Sequence, residues 1–287
     1  MELYNILSSF GGGIFGAAIG GTPAFFLAGV LAIVGGVLSL AGVSDITLSS
    51  IAFGNFLGPK VAFVGAVAAA AYAAKKQSLD CGANINISLH GTGRGDVLLV
   101  GGLFGTLGYL TEYFYSTILH MNTDTTAVTV VTFGIITRFL FGKTGLLGKC
   151  DGTRNWFLSK KELLHSIVLG AGVGLCVGGI GIQIMNSGIS ETFLGFYPNI
   201  VFGISAVSLL MILMGLNGMA THHITLPTAL AVVASGNLWI ALLVGIISSV
   251  FCDYVARTIN TYVDSHIDPP AVVIATMTLF INLLLVS

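Results

Sequence analysis

The sequence predicts an all-helical bundle that crosses a membrane many times and contains an internal duplication. Three observations predict it. Apolar residues make up 55% of the 287 residues and charged ones only 8%, with a mean hydropathy of +0.95, whereas soluble domains carry about 25% charged residues. The apolar residues fall into runs near the length of about 20 that a helix needs to cross a bilayer. Finally, the phrase "EYFYSTILHMNTDTTAV" at 112–128 has an echo in "DYVARTINTYVDSHIDPPAV" at 253–272.

The runs place crossings near 5–21, 24–43, 58–75, 95–119, 125–142, 163–185, 198–216, 236–259 and 268–286. The first lacks a basic leader and a small-residue cleavage site, so it reads as a retained helix rather than a removed signal. The third begins at Pro59 and ends at Lys75-Lys76. After it, "GANINISLHGTGRG" at 82–95 is too polar for an ordinary crossing and is expected to be broken or re-entrant. Asp96 is expected to cap the fourth helix and Asp124 the fifth, because a carboxylate there accepts the orphan N–H groups of the first turn. A basic cytoplasmic linker follows at 146–160. Beyond the seventh run, "ATHHITLPTALAVVASG" at 220–236 is interrupted by Pro and Gly and is expected to be a second broken or re-entrant segment. Asn237 is expected to cap the eighth helix. Asp268, followed by two prolines, is expected to cap the ninth, since Pro at the first helical position has no N–H to leave unpaired.

The echo extends past the opening phrase. Gly95 meets Gly236, Glu112 meets Asp253 and Tyr113 meets Tyr254 at one offset; Asp124 meets Asp268, and Pro59 meets Pro198, at neighbouring ones; "NISL" at 86–89 lies over "HITL" at 223–226. The expected organisation is an extra helix at 1–21, a first repeat at 22–145, the linker, and a second repeat at 161–287. If the two odd segments do not cross, the halves are parallel; if they do, the halves are inverted. The basic residues favour parallel, with Lys75, Lys76, Arg94, Arg138, Lys143, Lys149, Arg154, Lys160 and Lys161 on the cytoplasmic side and Lys60 and Arg257 outside.

Several chemistries are excluded or weakly indicated. A net charge of −1 offers no basic stripe for nucleic acid, and neither a GxxxxGK[ST] loop nor an HExxH is present. "GTGRGD" follows no strand, so it does not read as a phosphate loop. Cys81, Cys150, Cys176 and Cys252 lack metal spacing, and the adjacent His222 and His223 lack the i, i+4 spacing that puts two rings on one helix face. No metal, no cofactor and no enzymatic activity are expected. Abundant glycine in "GGGIFGAAIGG" and "GAGVGLCVGGIG" suits close helix packing.

Interruptions at matching places in two halves point to a solute site. Asn84, Asn86 and Ser88 from the first segment, with His222, His223 and Thr225 from the second, are therefore the candidate path residues on the cytoplasmic side. Toward the outside the candidates are Glu112 and Asp253. Arg257, four residues after Asp253, is expected to neutralise it locally, whereas Ser116 stands at that place after Glu112. A carboxylate without a partner, facing a bundle, suits uptake and release of a proton or a cation. The expectation is a permease of the plasma (inner) membrane: a proton- or cation-coupled carrier of a cation or small solute. A passive channel of the same architecture, or the membrane subunit of a larger complex, are the alternatives. The expected partners are the lipid bilayer and the solute, with a homo-oligomer compatible.

Overall fold

The structure is a computed structural model that describes residues 2–188 and 191–286, and the side chains of 191–193 lie outside the described set. It is all-helical. The first half comprises α1 (Leu3–Ile19), α2 (Gly21–Leu40), α3 (Val64–Lys75), α4 (Gly95–Tyr113) and α5 (Thr125–Phe141). The second comprises α6 (Lys160–Asn186), α7 (Glu191–Val207), the single turn α8 (Leu210–Leu213), α9 (His222–Ser235), α10 (Leu238–Ile259) and α11 (Pro269–Leu284). Among the described residues, five stretches are long and apolar enough to cross a membrane: Gly21–Leu40, Gly95–Ile118, Lys160–Asn186, Leu194–Leu213 and Leu238–Ile259. Each of the nine expected runs coincides with a helix, and α9 is a further one.

Local chemistry sets the helix ends. Asp124 accepts from the Ala127 N–H at 2.8 Å and Asp268 from the Ala271 N–H at 2.9 Å, both as N-caps. Asn237 caps α10 through the N–H groups of Trp239 and Ile240. Asp96 does not cap α4: Arg94 holds the cap position, and the Asp96 carboxylate is turned to the Arg94 guanidinium at 2.7 Å and the Tyr72 hydroxyl at 3.1 Å. An available cation two residues away outcompetes the helix's own N–H groups, because a charge-assisted bond is the stronger one. Ser159 and Glu162 form a capping box at the start of α6.

Of the two odd segments, the first is irregular, with a short turn at Leu89–Thr92. The second is not broken. Residues 222–235 form one helix, with Pro227 in its second turn and nine buried positions. The local overlays of "NISL" on "HITL" and of Pro59 on Pro198 are therefore not followed by the helices: 86–89 precede and enter a turn while 223–226 are helical, and Pro59 leads into α3 while Pro198 lies inside α7.

Packing is alike in the two halves. α1 lies on α4 as α6 lies on α10, in both cases through glycines. A Cβ on Gly13 would come within 2.3 Å of the Gly101 carbonyl oxygen, and one on Gly170 within 2.5 Å of that of Gly245. Only a bare Cα lets backbones approach this closely. Between the halves, α2 meets α7 and α5 meets α11. Both pairs run antiparallel: Gly29 lies against Ala206 but Gly36 against Ile200, and the Asn122 carbonyl accepts from Asn282 while Gly134 lies against Ile267. The central core, with Phe25, Phe63, Val130, Phe202 and Ile274, forms where these four helices meet the start of α3. Arg138, 1% exposed on α5, ties the far end of that contact: it donates to the carbonyls of Leu146, Ile259 and Ser265 and to the Ser265 hydroxyl.

Candidate functional site

The caps of α5 and α11 lead into the interior. Asp124 uses Oδ1 for the Ala127 N–H, and Asp268 uses Oδ2 for Ala271 while its Oδ1 meets His266 Nε2 at 3.2 Å. Both carboxylates line a cavity of about 420 Å³ between the two halves. Its walls are largely apolar, with Phe25, Phe53, Phe63, Phe202, Val130 and Ile274, and no Lys or Arg lines it among the described residues. A second cavity, of about 350 Å³, lies beyond it and is lined by Thr22, Asn84, Asn86, Asn260, His266 and others. Four residues line both: Phe25, Phe63, His222 and Asp268. They stand where the two cavities adjoin, and we call them the neck.

The neck is built from rings. His222 lies 4.7 Å from Phe25 and 5.7 Å from Phe202, centroid to centroid, and Phe25 is 5.8 Å from Phe63. His222 is 4% exposed and its Nδ1 has no hydrogen-bond partner; Thr278, 7% exposed on the wall of the larger cavity, likewise has an unpartnered Oγ1. A buried polar atom without a partner costs about 1–3 kcal/mol. Two of them on residues that line one cavity need a functional or solvent explanation.

The candidate path residues divide. Asn84, Asn86 and His222 are brought together on the smaller chamber, where Thr22 donates to Asn86 Oδ1 at 2.6 Å. His223 and Thr225 are buried behind the neck, and Ser88 is turned away, donating to the Ala18 carbonyl at 2.6 Å. Glu112 is not without a partner: Lys60 meets its Oε2 at 2.7 Å and Thr125 donates to Oε1 at 2.9 Å. The i, i+4 rule could not find Lys60, which lies 52 residues earlier on the turn before α3. Asp253 does not pair with Arg257. It accepts from Ser166, while Arg257 reaches Glu162 at 2.5 Å, because α6 supplies both partners. Asp253 lies with Arg154, Glu162 and Arg257 on a separate polar hollow, and neither it nor Glu112 lines the paired chambers. Asp124 and Asp268 do. They were legible as caps and as an echo, but that both line one cavity depends on α5 and α11 meeting across the molecule.

The described residues form an all-helical protein with five apolar helices long enough to cross a membrane and two adjoining cavities that share Phe25, Phe63, His222 and Asp268. The chain belongs to a family of unknown function (DUF7973), which it matches over residues 1–159 and 152–287. No curated protein and no solved structure matches it.

Proposed function

We propose that the chain is an integral membrane permease of the plasma (inner) membrane, a proton- or cation-coupled carrier that moves a cation or small solute through the two chambers. The neck carries this reading: two cavities share Phe25, Phe63, His222 and Asp268 and are otherwise lined by different residues. A passive channel needs a continuous wet path, and a constriction of packed rings favours a carrier that opens one chamber at a time.

The helices support a duplicated chain of two five-helix halves, α1–α5 and α6–α11 without the single turn α8. In this division α1 belongs to the first half as α6 belongs to the second. The two stretches of the family match meet at 152–159, in the linker. The antiparallel course of both α2 with α7 and α5 with α11 supports inverted halves over the parallel ones that the basic residues favoured. With all ten longer helices crossing, Lys75, Lys76, Arg94, Arg138, Lys143, Lys149, Arg154, Lys160, Lys161 and Arg257 fall at one face and Lys60 at the other, ten and one of the 11 basic residues. That bias is stronger than in the parallel arrangement and makes the basic face cytoplasmic. The larger chamber, bearing Asp124 and Asn282, then faces outward and the smaller one, bearing Asn84 and Asn86, inward.

The test is reconstitution of the purified protein in liposomes. A carrier gives saturable uptake of a cationic solute that collapses when the proton or sodium gradient is dissipated. Flux that is linear in solute and indifferent to both gradients assigns a channel instead, and no flux with any cation overturns the proposal.

A further inference from the structure

The larger chamber has an acid near each end and an apolar middle. Thr123, beside Asp124, donates to the Ala275 carbonyl at 2.5 Å, so Asp124 sits beside the second turn of α11, seven residues beyond Asp268. At about 1.5 Å per residue this separates the two carboxylates by about 10 Å along the helix. Ala271 and Ile274 lie on the wall between them. Each acid has beside it a wall residue with an unpartnered, buried polar atom: His222, through Nδ1, at the neck with Asp268, whose Oδ1 also meets His266, and Thr278, through Oγ1, less than one turn beyond Ala275, with Asp124. The nearest fixed cation to Asp124, the Lys60 ammonium, is held by Glu112 at 2.7 Å.

We propose that this chamber binds a linear aliphatic diamine as its doubly charged cation, one ammonium at Asp124 and Thr278, the other at Asp268 and His222, with the methylene chain against the apolar wall. The chemistry selects this class. A buried carboxylate needs a counter-charge. One point cation cannot serve two acids about 10 Å apart, whereas a chain of two to four methylenes, with its nitrogens about 4–6 Å apart and about 3 Å of hydrogen bond at each end, spans the gap. An ammonium has three N–H donors, enough for the carboxylate edge and the lone hydroxyl or imidazole nitrogen at each end. Phe25 and Phe63 at the neck add the faces of aromatic rings, which attract cations. A volume of about 420 Å³ lies in the range of small-molecule sites.

The inference relies on the permease reading for the route of the ligand but not for its binding, and the two are tested separately. Binding is measured by titration calorimetry on the full-length protein in detergent, with α,ω-diamines of two to eight carbons, the n-alkyl monoamines of the same lengths, and sodium chloride. The expected result is an optimum at two to four carbons, with the best diamine bound at least tenfold more tightly than its monoamine. Asp124→Asn and Asp268→Asn keep a capping side chain, and each is expected to reduce diamine affinity tenfold to a hundredfold, to the monoamine level, with the folded yield unchanged. Diamines no tighter than monoamines, no dependence on chain length, or variants that keep the preference each overturn the proposal. Diamine binding without flux in liposomes would leave the site standing and remove the permease; flux of other cations without diamine binding would do the reverse.

Discussion

Asp124 and Asp268 each cap a helix through one oxygen and line the chamber, and the second oxygen of Asp268 meets His266. The capping role predicts stability: Asp268→Ala should cost about 0.5–2 kcal/mol and Asp268→Asn much less, read as the thermal midpoint of the purified protein. At the opposite end of α5, Arg138→Leu should be worse. It leaves several inward carbonyls without a donor at about 1–3 kcal/mol each, and a clear fall in folded yield in detergent checks it. Such roles were partly legible. A cap is a local matter, written within three residues, so Asp124, Asn237 and Asp268 could be read directly. The partners of Glu112, Asp253 and Arg138 come from 52, 87 and up to 127 residues away, and no local rule reaches them.

At the scale of elements, hydropathy located nine helices because a lipid-facing helix must be apolar over its length. It misjudged α9 for the same reason. His222, His223, Thr225 and Thr228 are buried by other helices rather than by lipid, so an interior helix can be polar where it borders a cavity and still be regular. Pro227 sits where neighbouring packing can hold the turn. The glycine seams make matched predictions in the two halves. Gly13→Leu and Gly170→Leu should each push α1 from α4 and α6 from α10, since the added Cβ alone would fall within about 2.5 Å of a backbone oxygen. Both variants are expected to lose most of their folded yield by size-exclusion chromatography, whereas Gly172→Leu, which meets open space, should not.

The arrangement of the whole molecule was the least legible, because the parity of crossings turns on whether a single segment spans. With inverted halves, a cysteine at Lys76 and one at Thr261, in a background free of the native cysteines, should both react with an impermeant thiol reagent from the cytoplasmic face. Cysteines at Ser44 and Asn122 should react from outside. Labelling of positions 76 and 261 from opposite faces restores parallel halves. The Arg138 contact has a consequence in time. Its carbonyl partner Ile259 lies 121 residues later. At about 5–20 residues per second of synthesis, the guanidinium emerges roughly 6–24 s before that carbonyl exists. During that interval α5 carries an uncovered cation and has no α11 to lie against. The first half is then a guest without its lock until the last two helices arrive, and a ribosome stalled before Ile259 should leave α5 open to protease.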